Sequence, residues 1–116
     1  MDSAKLPEVR LRHILEQIDG ILAATRGRTF EEIQGNFLYE RAVERAVQII
    51  SEAAKELPAE LRERHADVHW QPIIRIGNLL RHEYYRIRSP HLDVIAYVHL
   101  PVLRPVIERM LAEFDA

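Results

Sequence analysis

The chain has no cysteine among its 116 residues. Disulfide staples, thiolate nucleophiles and cysteine zinc sites are therefore excluded, and the composition fits a reducing cytoplasm. Glycine (4) and proline (6) are scarce beside abundant Ala, Leu, Glu and Arg, a balance that favours helix over strand. Neither sign of charge dominates. With a net charge of −2 the chain is no bulk nucleic-acid binder, so any contact with RNA or DNA has to come from a local basic patch. No apolar run approaches the length of a membrane span, and Met1-Asp2-Ser3-Ala4-Lys5 lacks the apolar stretch of a signal peptide. There is no Gly-rich phosphate loop, no His-Glu-x-x-His motif, no internal repeat and no long linker. What is present, 47% apolar and 29% charged residues, describes a soluble and mostly α-helical domain covering residues 1–116.

Apolar residues at Leu11, Ile14, Leu15, Ile18, Ile21 and Leu22 follow a three/four spacing. They predict an amphipathic helix of about five turns from Leu6, stopped at Arg26-Gly27-Arg28 with Gly27 as a left-handed cap. Thr29-Phe30-Glu31-Glu32 matches a capping box and opens a second helix, expected to run unbroken from Phe30 to Leu57. Phe30, Ile33, Phe37, Val43, Val47, Ile50, Ala54 and Leu57 form its apolar face. Tyr39, Glu40, Arg41, Glu44 and Arg45 crowd its middle, where opposite charges can pair. Pro58 ends it. A polar connection follows to His69, with one helical turn at Glu60–Arg64. Ser89-Pro90 opens a last helix to about Phe114, with a kink or break expected near Leu100 because of Pro101 and Pro105. Short loops between such helices predict an all-α, antiparallel up-down bundle of four helices, or five if the short turn is counted.

The stretch from Trp70 to Ile87 holds the only Trp, a His, two adjacent Tyr and a local basic cluster. Between Arg75 and Arg88, four arginines (Arg75, Arg81, Arg86 and Arg88) stand against Glu83 alone. On a helical wheel Ile73, Ile76, Leu80 and Ile87 share one arc, bordered by Gly77. Arg75 and His82, two turns apart, fall within about 20° of one another on the opposite arc, and Asn78 lies between them on that face. Arg supplies a permanent planar cation suited to phosphate, and His moves a proton near neutral pH. A solvated helix face carrying a surface His and several Arg has the same spacing, so spacing alone assigns no activity.

The other candidates are weaker. His65 and His69, with Asp67 between them, would suit a divalent metal if helical, but no third ligand follows, and a polar loop with two solvated histidines is the expectation. His13, His91 and His99 are single. Trp70, just ahead of Pro72, reads as a core anchor rather than a base-stacking platform.

Arg75, six residues, His82, one residue and Tyr84 fit the pattern Arg-x(4–6)-His-x-Tyr of the HEPN superfamily. The run Ile76-Gly77-Asn78-Leu79-Leu80-Arg81-His82-Glu83-Tyr84 after Trp70 closely resembles the HepT-like family within it. So do Arg10-Leu11-Arg12-His13-Ile14-Leu15, the segment Arg41 to Ala54, and Leu100-Pro101-Val102-Leu103, in the right order over nearly the whole chain. The resemblance implies a metal-independent ribonuclease without cofactors, the toxin of a two-gene toxin–antitoxin module. It implies a cytoplasmic homodimer whose two motif helices meet in a composite RNA cleft. His82 would act as acid/base, Arg75 would hold the phosphate, and Asn78 would orient phosphate or His82, with Arg81 a rival phosphate contact. The implied partner is a minimal nucleotidyltransferase antitoxin that transfers AMP to Tyr84. An unbroken helix would instead bring Tyr85 nearer the His82 face, so Tyr85 is the alternative acceptor. Many family members carry Arg directly before the Asn, where this chain has Gly77. That departure leaves room for a second reading, a non-catalytic HEPN-like partner subunit of a nucleotidyltransferase.

Overall fold

The computed structural model describes residues 6–82 and 95–115. Pro7–Thr25 form α1. Pro7 stands at the first position, where its missing N–H needs no partner. Leu11, Ile14 and Ile18 are fully buried and Ile21 nearly so, which is the stripe the spacing predicts. The helix stops at Arg26, and Gly27 follows at φ +76°. Next comes the expected capping box. The Glu32 amide donates to Thr29 Oγ1 at 3.1 Å, and the Thr29 amide donates to Glu32 Oε1 at 3.2 Å. That backbone hydrogen bond is the main reason the Glu32 carboxyl sits below the usual carboxylate range.

The long second helix is two helices. α2 covers only Phe30–Ile33, and α3 covers Phe37–Glu56. Between them Gly35 takes φ +79°, a conformation side chains disfavour, and Asn36 caps α3 by accepting from the Leu38 and Tyr39 amides at 3.0 and 3.3 Å. Glu40, expected to pair with a neighbouring Arg, is instead buried, and its Oε1 accepts from the Gly35 amide at 2.8 Å. The break also resets the helical register. Phe37, assigned to the apolar face by a continuous helix, is 68% exposed, with the Arg41 guanidinium 5.0 Å over its ring. Arg41 also pairs with Glu44. From Val43 onward the expected face is buried, through Val47, Ile50, Ala54 and Leu57, with Ala46 buried beside it.

Pro58 ends this run and precedes α4, Ala59–Arg64, whose Leu61 is buried. α5 is Trp70–His82. A π-helical turn, Ile95–His99, leads into α6, Leu100–Asp115. The break expected near Leu100 is thus a change of helix type directly ahead of Pro101, while Pro105 is carried inside α6. Ser89-Pro90 and Ile87 lie outside the described residues.

The architecture is the expected all-α bundle. α3 packs against α1 and α5, and α1 against α6. Leu103, Val106, Ile107 and Met110 of α6 complete the core. Arg104 of α6 grips Asp19 of α1 with two nitrogens, at 2.6 and 3.4 Å, and reaches Glu108 at 2.7 Å. The hydrogen bond to Asp19 raises the Arg104 pKa further. No described helix is long and apolar enough to cross a membrane.

Candidate active site

The orientation of α5 is set by one serine on α3. Ser51, 3% exposed, donates from Oγ to the Ile74 carbonyl at 2.8 Å and accepts from the Gly77 amide at 3.1 Å. Both halves of a buried hydroxyl are thereby satisfied. The approach is close enough that a Cβ on residue 77 would lie 2.1 Å from Ser51 Oγ and 2.6 Å from Ser51 Cβ. Only glycine fits. Trp70 and Leu80 are buried on the same side, and Ile73, Ile74 and Ile76 pack partly against the core. Trp70 is the core anchor expected, its Nε1 donating to the His65 carbonyl at 3.1 Å.

With that arc turned inward, Arg75, Asn78, Arg81 and His82 are all exposed. The structure places Arg75, Asn78 and His82 along one outward face of α5, Arg75 and His82 about 10 Å apart along the axis. Among the described residues neither Arg75 nor His82 has a hydrogen-bond or ion-pair partner, so both remain available to a ligand. Arg81 is engaged. Its Nη1 meets Glu52 Oε1 of α3 at 3.2 Å, and its Nη2 meets Asn78 Oδ1 at 2.5 Å. Leu79, partly buried, stands on the outward face and outside the core cluster. Tyr84 and Tyr85 lie outside the described residues.

An apolar cavity of about 580 Å³ lies between α3, α5 and α6, lined by Val47, Ile50, Ile73, Ile76 and Leu103. It is on the inward arc, and none of Arg75, Asn78 or His82 lines it. The charged face itself is open helix surface. Among the described residues no group of three His, Cys, Asp or Glu side chains converges. His65, read from the sequence as solvated, is largely buried, and its Nε2 meets Glu113 Oε1 of α6 at 3.1 Å. Arg64 reaches the other oxygen of Glu113 at 3.3 Å. Desolvation works to raise the Glu113 carboxyl, but hydrogen bonds and charge from His65 and Arg64 outweigh it and leave it lowered.

Sequence reasoning missed Ser51 and Glu52. A glycine inside an otherwise regular helix was the available signal, because it costs helix stability unless another element approaches closely there.

An all-helical bundle with a permanent cation, an amide and an imidazole on one exposed helix face defines the class, a small helical protein with a polar, proton-exchanging surface. The comparisons are more specific. The family model described as HepT-like, ribonuclease HepT-like, matches residues 14–110, and the chain belongs to that family of ribonucleases. "Putative RNase TTE0752" of Caldanaerobacter subterraneus subsp. tengcongensis is 31% identical over 92% of this chain and 96% of its own length. "Probable ribonuclease HepT" of Thermococcus cleftensis is 29% identical over 86% of this chain and 91% of its own. "Putative RNase MJ1216" of Methanocaldococcus jannaschii is 25% identical over 90% and 87%. No solved structure matches.

Proposed function

We propose that the protein is the ribonuclease toxin of a two-gene module, cutting RNA without a metal at a site shared by two copies. The observation that carries this reading is the pair Arg75 and His82 on the outward face of α5, without partners among the described residues, in a chain of the HepT-like family. Arg75 holds the scissile phosphate and stabilises the charge that builds on it. His82 works as acid/base. The ribose 2′-oxygen loses its proton, bonds to the adjacent phosphorus and displaces the 5′-oxygen, which leaves protonated, so the product is a 2′,3′-cyclic phosphate. One His82 cannot be both deprotonated base and protonated acid at the same instant. A second copy supplies the other, and two opposed α5 faces also enclose what is otherwise an open helix surface. The off-switch is AMP transfer to Tyr84, or to Tyr85, by a minimal nucleotidyltransferase partner.

The test is cleavage of end-labelled RNA in excess EDTA. Wild type cuts and leaves cyclic phosphate ends, while His82→Ala does not cut but keeps its fold and oligomeric state. RNA binding without cleavage by the wild type would assign the protein the non-catalytic role instead. Co-expression with the nucleotidyltransferase adds AMP masses to the peptide holding Tyr84 and Tyr85. An unchanged mass removes that regulation.

A further inference from the structure

The side-chain amide of Asn78 can face two ways, and Arg81 settles which. A guanidinium has only donors, so the Asn78 atom 2.5 Å from Arg81 Nη2 is the carbonyl oxygen, Oδ1. On the helix, Arg81 lies about 60° to one side of Asn78, while Arg75 and His82 lie about 60° and 40° to the other. The Nδ2 group, with its two N–H donors, is therefore the half of the amide that Arg81 leaves unused, on a side chain whose other flank carries Arg75 and His82. Arg81 is itself anchored from outside α5, because Glu52 of α3 takes its Nη1 at 3.2 Å. With both Nη atoms engaged, the guanidinium is held and its charge balanced, leaving Arg75 as the arginine of this face without an acidic partner among the described residues.

We propose that Glu52 is a positioning residue for RNA cleavage: through Arg81 it holds the Asn78 amide with Nδ2 presented to the scissile phosphate. The inference rests on the ribonuclease reading above. It gives Arg81 a role as a support rather than a phosphate contact. Glu52 touches no substrate. Both partners are part-exposed, with 52% of the Glu52 side chain and 37% of the Arg81 side chain accessible, so its effect is modest and runs through Asn78.

The test is a double-mutant cycle read by steady-state RNA cleavage with the full chain. Glu52→Ala is expected to lower kcat about two- to five-fold with KM unchanged. Asn78→Ala is expected to lower it roughly a hundredfold. In the Asn78→Ala background, Glu52→Ala then has no further effect. Glu52→Gln, which keeps an acceptor for Nη1, recovers most of the loss. Equal losses in both backgrounds, a change in KM alone, or no change in kcat on Glu52→Ala would overturn the proposal. A second readout needs no activity: the side-chain amide NMR resonances of Asn78 shift on Glu52→Ala, and resonances that stay put overturn it as well. The two readings fail separately. Cleavage that survives His82→Ala undoes the active-site assignment, whereas loss of cleavage in His82→Ala with an inert Glu52→Ala undoes only the role of Glu52.

Discussion

Replacing Gly77 by Ala tests how α5 is held on α3. The new Cβ would lie 2.1 Å from Ser51 Oγ and 2.6 Å from Ser51 Cβ. Rotating the serine hydroxyl away relieves the first clash and leaves the second, because Cβ does not move with that rotation. Carbon atoms in contact prefer about 3.5–4.0 Å, so the two helices have to separate by about 1 Å. Overpacking of this kind costs about 1–3 kcal/mol. Stretching the buried Gly77 N–H to Ser51 Oγ bond adds about 1 kcal/mol. Against these stands the better helix propensity of Ala, also about 1 kcal/mol. The net expectation is a loss of about 2 kcal/mol, which lowers Tm by roughly 8 °C in a domain of this size. Thermal and urea unfolding followed by far-ultraviolet circular dichroism measure it. In a Ser51→Gly background the obstacle is gone, and Gly77→Ala becomes neutral or stabilises by up to about 1 kcal/mol. A Gly77→Ala protein as stable as wild type, or the same loss in both backgrounds, refutes the reasoning. By the same logic Gly77→Arg, which writes in the residue common elsewhere in the family, dislodges α5 rather than adding a catalytic cation.

His82→Ala is expected to slow RNA cleavage by about 10²- to 10⁴-fold, the usual contribution of a positioned acid/base, while its unfolding midpoint stays that of the wild type. Asn36→Ala removes the cap that starts α3 and lowers unfolding free energy by about 1 kcal/mol, read from denaturant midpoints at constant slope. Glu113 supplies a pH test. Its carboxyl is held below its ordinary value by His65 and Arg64, so its stabilising contribution is complete above the ordinary carboxylate range and fades as pH falls through the depressed value. The difference in Tm between wild type and Glu113→Gln should therefore be present at neutral pH and close in acid. A difference that grows in acid would contradict the sign.

The features legible in the sequence were those decided within a turn or two of chain. The stripe of α1 appears because its spacing is written into the helix itself, and Gly27 and the Thr29/Glu32 box because what decides them lies at most four residues away. The break at Gly35-Asn36 was equally local, yet the four-residue step from Ile33 to Phe37 reads as continuous helical periodicity. What decides against it is Glu40, whose carboxylate reaches back to the Gly35 amide and stabilises the turn. Ser51 and Glu52 were illegible for a different reason. In the sequence they are a small polar and a charged residue on a helix, and nothing within α3 tells them from their neighbours. Their roles exist only once α5 lies alongside, 23 to 29 residues further on.

That same contact bears on the departure at Gly77. If position 77 faced solvent, glycine in place of the family's common Arg would read as a lost phosphate contact. Position 77 instead faces Ser51 with no room for a side chain, so no residue there can reach the outward face of α5. The departure then concerns packing, and in the function proposed above the phosphate contact falls to Arg75, on the His82 face and free of any acidic partner among the described residues. Ser51 and the apolar arc of α5 act together here: Trp70 and Leu80 are buried in the core, and Ser51 receives Gly77 against α3 on that same side, which leaves the opposite side chains exposed.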